Sequence, residues 1–236
     1  MTAALQIIPV TGIPEVREGL ELAVAIADAA AAQGTPVEAR DCIVVTQKIV
    51  SKAEGRMVEI GDDADAKRAL VEGESVRIVR RRGDLIISET RHGFVCANAG
   101  IDLSNVDEGW AALLPVDSDR SAKHIRDALR ARYDVETAVI VSDTFGRAWR
   151  RGLTDVAIGV SGIAAVLDLR DTPDATGRIL QVTEVAIADE VASAAELVMG
   201  KASAVPVAIV RGLDASWFRE SSVRELIRPP AEDLFR

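Results

Sequence analysis

Three short runs of β-branched apolar residues constrain this chain most. They are Cys42 to Gln47 (CIVVTQ), Thr137 to Ser142 (TAVIVS) and Val205 to Val210 (VPVAIV). Each predicts a buried strand. In the last, Pro206 stands near the start, where a strand tolerates it best. Ala-rich or amphipathic stretches separate the runs. Leu20 to Gln33, Ser121 to Arg132 and Glu184 to Met199 predict helices, with Gly34 and Gly200 as closing residues. Weaker signals predict a strand over Ile7 to Pro9 and a polar helix over Ala64 to Glu72. Val76 to Val79 and Leu85 to Glu89 flank Arg80-Arg81-Arg82-Gly83-Asp84, which reads as an exposed hairpin connection. Only eight residues are aromatic, so Ala, Val, Leu and Ile must build the core. The mixture gives an α+β or α/β class, with strand order left open. Folding 236 residues buries roughly 70% of the chain's surface, enough for one large domain or two small ones.

The formal charge is −9 and the pI is near 4.9. This excludes a nucleic-acid binder held by a broad basic surface. An anionic ligand would have to meet local lysine and arginine clusters, or metal ions. Cys42 and Cys96, both in apolar segments, predict buried thiols in a reducing cytoplasm and no disulfide framework. The start, MTAALQIIPVTGIPEV, has no basic region followed by an apolar one, so no leader peptide is expected. No apolar run is long enough to span a membrane. His92 and Cys96 lack a second pair to complete a zinc site, and His92 reads as structural. The only Gly-Lys pair is Gly200-Lys201, preceded by Ala195 rather than glycine at the Walker spacing, and no two glycines stand two apart. Neither common glycine loop for a nucleotide is present.

Four segments carry candidate chemistry. Asp143-Thr144 closes an apolar strand and opens a loop with Arg147, Trp149, Arg150 and Arg151. Strand carboxyl ends are where α/β proteins tend to place ligands. A carboxylate beside a hydroxyl suits a hard cation, and forked guanidinium groups suit phosphate or carboxylate. The same pattern reads as a capped turn with a solvated basic loop, in which Trp149 would wall a pocket. Asp102-Leu103-Ser104-Asn105 reads either as a second source of oxygen ligands and a phosphate contact, or as an Asx turn. Gln47-Lys48 and Ser51-Lys52 follow the first strand and place two lysines four apart, either for a polyphosphate or as a solvated helix start. The Arg80 to Arg82 run reads as a solvated hairpin tip.

Taken together, the segments resemble the coenzyme F420-0:L-glutamate ligase family. The resemblance rests on Gly12-Ile13-Pro14-Glu15, on Val44 to Arg56 (VVTQKIVSKAEGR) and on Ala97 to Val106 (ANAGIDLSNV). It extends to Ser142 to Arg147 (SDTFGR) and Leu197 to Lys201 (LVMGK), in family order over nearly the whole chain. It implies an enzyme that adds L-glutamate to F420-0, then further γ-linked glutamates, using GTP and Mn²⁺ or Mg²⁺, with K⁺ assisting. It implies Asp102, Asp143 and Thr144 as metal ligands. Ile13, Pro14, Glu15, Val16, Gln47, Lys48, Lys52 and Asn105 become GTP-contacting positions, as does the loop Met199, Gly200, Lys201, Ala202, Ser203 onward to Pro206. Lys48, Arg147 and Arg150 are the expected charge-neutralising catalytic groups. Some members carry a carboxylate ligand for a second metal at the position of Lys201, and a protonated lysine cannot ligate. The implied fold is α+β with mixed sheets, dimerising through an intertwined interface. Residues 1–236 would be one ligase domain, and Arg224 to Arg236 resembles the junction to a nitroreductase-like domain in two-domain members.

Overall fold

A computed structural model describes residues 4–61 and 63–233. Met1 to Ala3 and Leu234 to Arg236 lie outside them, so the extreme ends of the leader and junction expectations do too. In chain order the elements begin with β1 (Gln6–Val10), α1 (Leu22–Ala32), β2 (Cys42–Thr46), α2 (Gln47–Ala53), β3 (Met57–Glu59) and α3 (Ala64–Gly73). Next come β4 (Ser75–Arg82), β5 (Leu85–Thr90), β6 (Val95–Ala97), β7 (Trp110–Ala112) and α4 (Ser118–Tyr133). The chain continues through β8 (Ala138–Gly146), β9 (Leu153–Ser161), β10 (Leu167–Asp168), β11 (Glu184–Val185), α5 (Ile187–Met199) and β12 (Val207–Arg211).

The class is α+β with mixed sheets. A five-stranded sheet runs β1-β12-β2-β8-β9. Its β2–β8 pair is parallel and its other pairs are antiparallel. The three sequence runs form its centre, and their side chains separate by alternation into two cores. Ile43, Val45, Val139, Val141, Val207 and Ile209 face α1 and α4. Cys42, Val44, Ala138, Ile140, Ala208 and Val210 face α5. Continuous apolar sequence is what a strand covered on both faces requires. The scarcity of aromatics is met by close approach. A Cβ on Gly159 of β9 would lie 2.3 Å from the backbone of Ser118, so α4 can seat there only because residue 159 has no side chain. Asp119 then accepts the Val160 N–H at 2.8 Å and the Ser222 hydroxyl at 2.7 Å, joining α4 to β9 and to the chain's last segment.

Between β2 and β8 the chain makes a long excursion, which holds the β3–β7 pair and the three-stranded β4-β5-β6 sheet. Arg80, Arg81 and Arg82 belong to β4, and Gly83-Asp84 alone form the tip, since Arg82 pairs with Leu85. His92 is structural: its Nε2 lies 2.8 Å from the Pro115 carbonyl oxygen and its ring stacks on Phe94. Val223 is buried, and residues 223–226 form a short 3-10 turn against the core. Cys42 and Cys96 are free and buried. Burial pushes both thiols up, Cys96 to about 12 with Asp143 adding to the effect, so neither is a ready nucleophile. Among the described residues no helix is long and apolar enough to cross a membrane.

Candidate functional site

The parallel ladder of β2 and β8 ends where Thr46 pairs with Ser142. Beyond that point the neighbours part. The chain after β2 turns at once into α2, whereas β8 runs on through Asp143 to Gly146, paired only with β9. The expectation that β8 stops at Asp143-Thr144 is therefore corrected, because β9 continues to satisfy its backbone. The parting opens a cavity of about 330 Å³ at the carboxyl ends of the two strands. Its walls come from residues 13–16, the first turn of α2, Asp102 and Asn105, β8, and the loop from Gly200 to Pro206.

Gln47 is buried at the base. Its Nε2 donates to Ser51 Oγ at 2.6 Å and to the Leu113 carbonyl at 2.8 Å, which fixes the direction of α2. That leaves Lys48, the next residue, facing the opening. Its Nζ lies 2.9 Å from Asp102 Oδ2 and 3.1 Å from Ser104 Oγ. Asp102 makes the turn with one oxygen and meets a lysine with the other. Oδ1 accepts the Ser104 N–H at 2.7 Å and the Ser104 hydroxyl at 2.8 Å, making the turn, while Oδ2 takes the lysine. Burial acts to raise the Asp102 pKa, and Lys48 and Ser104 outweigh it, holding the carboxyl below its ordinary value. Lys52 sits 2.7 Å from Glu15, and Asn105 Nδ2 donates to the Lys201 carbonyl at 3.4 Å.

Asp143 and Thr144 are adjacent on β8, and although alternation turns them to opposite faces, both reach the cavity at its end. Asp143 accepts the Thr144 N–H at 2.8 Å. Burial raises its pKa, and Asp102 and Asp155 add to the effect against Thr144 and Lys201, bringing it to about 7. Thr144 Oγ1 donates to Asp155 Oδ1 and accepts from Lys201 Nζ. Glu196, on α5, also lines the cavity, and its pKa is raised by burial and by Asp155.

Most of the expected site residues therefore meet in one place. Ile13, Pro14, Glu15, Val16, Gln47, Lys48, Lys52, Asp102, Asn105, Asp143, Thr144, Gly200, Lys201 and Ala202 all line the cavity. Met199 is wholly buried in the second core, and Ser203 turns its hydroxyl to the Gly200 carbonyl at 3.4 Å. Arg147 and Arg150 stand on the exposed turn between β8 and β9, outside the lining, and Trp149 beside them is 81% exposed. The cationic wall is built from lysines. Asp155 and Glu196 escaped the sequence reading. Asp155 leaves one trace, a lone acid inside the apolar β9 segment LTDVAIGVS.

Asp102, Asp143 and Thr144 supply hard oxygen donors, the chemistry that suits Mg²⁺ or Mn²⁺. No cluster of three or more His, Cys, Asp and Glu poised for a metal is formed among the described residues. The set nevertheless fits a cation. Burial first, with Asp102 and Asp155 adding to it, holds a proton on Asp143 near neutrality, and the cations nearest the three donors are the ammonium groups of Lys48 and Lys201. Added positive charge would offset both the burial and the neighbouring carboxylates.

Fold and site together define a pocket lined by lysines and carboxylates at the carboxyl edge of a mixed sheet. The family model described as F420-0:Gamma-glutamyl ligase matches residues 11–212. The chain is 43% identical to a Coenzyme F420:L-glutamate ligase of Methanothermobacter thermautotrophicus, over 98% of this chain and 99% of that one. It is 41% identical to the enzyme of the same name from Methanocaldococcus jannaschii, over 85% and 86% of the two chains. The corresponding Methanopyrus kandleri protein is 40% identical over 98% of each. This chain belongs to the F420-0:gamma-glutamyl ligase family and is a ligase.

Proposed function

We propose that the chain adds L-glutamate to coenzyme F420-0 and then adds further γ-linked glutamates, using GTP and a divalent metal. The observation that carries this reading is the convergence of Lys48, Asp102, Asp143, Thr144 and Lys201 on one cavity in a chain of this family.

A carboxylate is a poor electrophile and must be activated before an amine can attack it. In the proposed route a carboxylate oxygen of F420-0 attacks the γ-phosphorus of GTP and GDP leaves. The glutamate nitrogen then attacks the acyl carbon, the C–N bond forms, phosphate departs and the amine gives up a proton. Phosphoryl transfer of this kind is mainly positioning and charge neutralisation. Lys48, Lys52 and Lys201 supply fixed positive charge to the phosphate oxygens. Gln47 holds α2 so that Lys48 faces them. Asn105 ties the Asp102 turn to the Lys201 loop. Asp102, Asp143 and Thr144 would hold the metal ion, which when bound supplies Lewis-acid charge against the same oxygens. Residues 13–16 and 200–206 form the facing walls for the nucleotide. We read the enzyme as a cytoplasmic homodimer, which size-exclusion chromatography with light scattering would test.

The decisive experiment is mass spectrometry of F420-0 after incubation with the protein, glutamate, GTP and Mn²⁺. The expected product carries one or more added glutamyl residues and forms at least about 100-fold more slowly with Asp143→Ala. Turnover of GTP only with a different acid would assign another substrate. Unchanged glutamylation by folded Asp143→Ala would remove the metal assignment.

A further inference from the structure

Asp155 is a buried acid, 2% exposed, in a pocket already crowded with carboxylates. It stands on β9 directly opposite Thr144 of β8. Ser142 lies two residues before Thr144 and so on the same face of the strand. Both hydroxyls reach the one carboxyl group: Ser142 Oγ donates to Oδ2 at 3.0 Å and Thr144 Oγ1 donates to Oδ1. The backbone beneath is braced, since the Asp155 carbonyl accepts the Ser193 hydroxyl of α5 at 2.7 Å. Ser193 Oγ also lies 2.8 Å from Thr154 Oγ1.

We propose that Asp155 is a positioning residue that fixes the polarity of the Thr144 hydroxyl. A hydroxyl has one proton and two lone pairs, and a carboxylate can only accept. With its proton committed to Asp155, Thr144 offers the cavity lone pairs alone. It is then an obligate acceptor, suited to a cation and unable to turn its proton toward one. The Lys201 ammonium occupies that acceptor position. Ser142 completes the arrangement by filling the second carboxyl oxygen, so the side chain cannot rotate to spare Thr144. This deepens the metal-site reading above and rests on it where a metal ion is concerned, but the hydroxyl orientation itself does not depend on metal.

The test uses Mn²⁺ alone, titrated into the full chain and followed by the electron paramagnetic resonance of free Mn²⁺. Asp155→Leu, near in shape and without acceptors, is expected to weaken Mn²⁺ binding about 10- to 100-fold, as loss of an orienting outer-shell partner does. Asp155→Asn keeps the shape and can accept from only one hydroxyl, so a smaller weakening is expected. It carries the test if the leucine variant fails to fold. In a Thr144→Ala background either substitution is expected to add nothing. The same weakening in that background would overturn the proposal, as would wild-type Mn²⁺ affinity in a folded Asp155 variant. If the wild-type chain binds no Mn²⁺, the metal reading fails separately, and the hydroxyl decides. A protected Thr144 hydroxyl proton in the NMR spectrum of metal-free protein, lost in the Asp155 variants, supports the proposal. A freely exchanging one overturns it.

Discussion

The two sides of β8 meet the pocket in different electrostatic conditions. On the Asp143 side, Lys48 is already spent on Asp102 at 2.9 Å, and burial, with Asp102 and Asp155 adding to it against Lys201, leaves Asp143 with a pKa near 7. On the Thr144 side, Asp155 is satisfied by two hydroxyls and Thr144 by Lys201. One side holds a buried acid with no ion pair of its own among the described residues, and the other is hydrogen-bonded within the chain. Because neighbouring strand residues face opposite ways, a single dipeptide, Asp143-Thr144, serves both conditions. The comparison teaches that the penalty on a charged carboxylate is concentrated at Asp143.

The largest expected effect tests that concentration. Asp143→Ala is expected to slow glutamylation by at least about 100-fold, as removal of an electrostatic group at a reacting centre does. The fold should be retained by circular dichroism. The lysines come next. Lys48→Ala should slow the reaction about 100-fold and Lys201→Ala less, because the first leaves Asp102 without its partner while Thr144 keeps Asp155. Equal losses in single-turnover rates would break the comparison.

A third effect is on stability. In metal-free protein Asp143 holds its proton up to about pH 7, whereas the unfolded chain releases it near 3.8. The folded state binds more protons in that interval, so stability falls as pH rises from about 4 to about 7. Asp143→Asn removes that decline. Melting temperatures at pH 5 and pH 8 should therefore differ less in the variant than in the wild type. Metal binding, which needs the deprotonated carboxyl, should strengthen over the same interval. The smallest effect is expected from Arg147→Ala and Arg150→Ala, whose side chains stand outside the cavity lining. A rate loss matching that of Lys48→Ala would show that the β8–β9 turn folds over the bound substrates.

The scaffold was largely legible because its signals are local. β2, β8 and β12 announce themselves as short β-branched runs, and α1 and α5 as Ala-rich stretches closed near Gly34 and Gly200. What the local pattern could not carry was pairing. Nothing in CIVVT says that it lies parallel to Ala138 and its successors, yet that parallel pair creates the opening. The strand ending expected at Asp143 failed because the partner that prolongs it, β9, is an antiparallel neighbour rather than β2. Arg147, Arg150 and Arg151 looked apt for anions by chemistry, but a turn sets their direction. The positions carried by family resemblance converged well, from Ile13 through Lys201. Asp155 stayed hidden because a single acid in a strand ordinarily marks a solvated face, and its burial depends on Ser142 and Thr144 across the ladder.

The strand order also bears on how the chain is made. β1 pairs with β12 alone, and β12 joins it to β2. On a ribosome, residues 6–10 emerge well before residues 207–211 and must wait for them to leave the exit tunnel before the β1–β12 hydrogen bonds can form. The loop from Gly200 to Pro206, which completes the pocket, arrives in the same moment. Closing a connection of such length is slow compared with local structure. Until then the nascent chain has an exposed β2 edge and an incomplete pocket. β1 is made about 200 residues before the strand it pairs with, and the pocket is complete only when the sheet is closed.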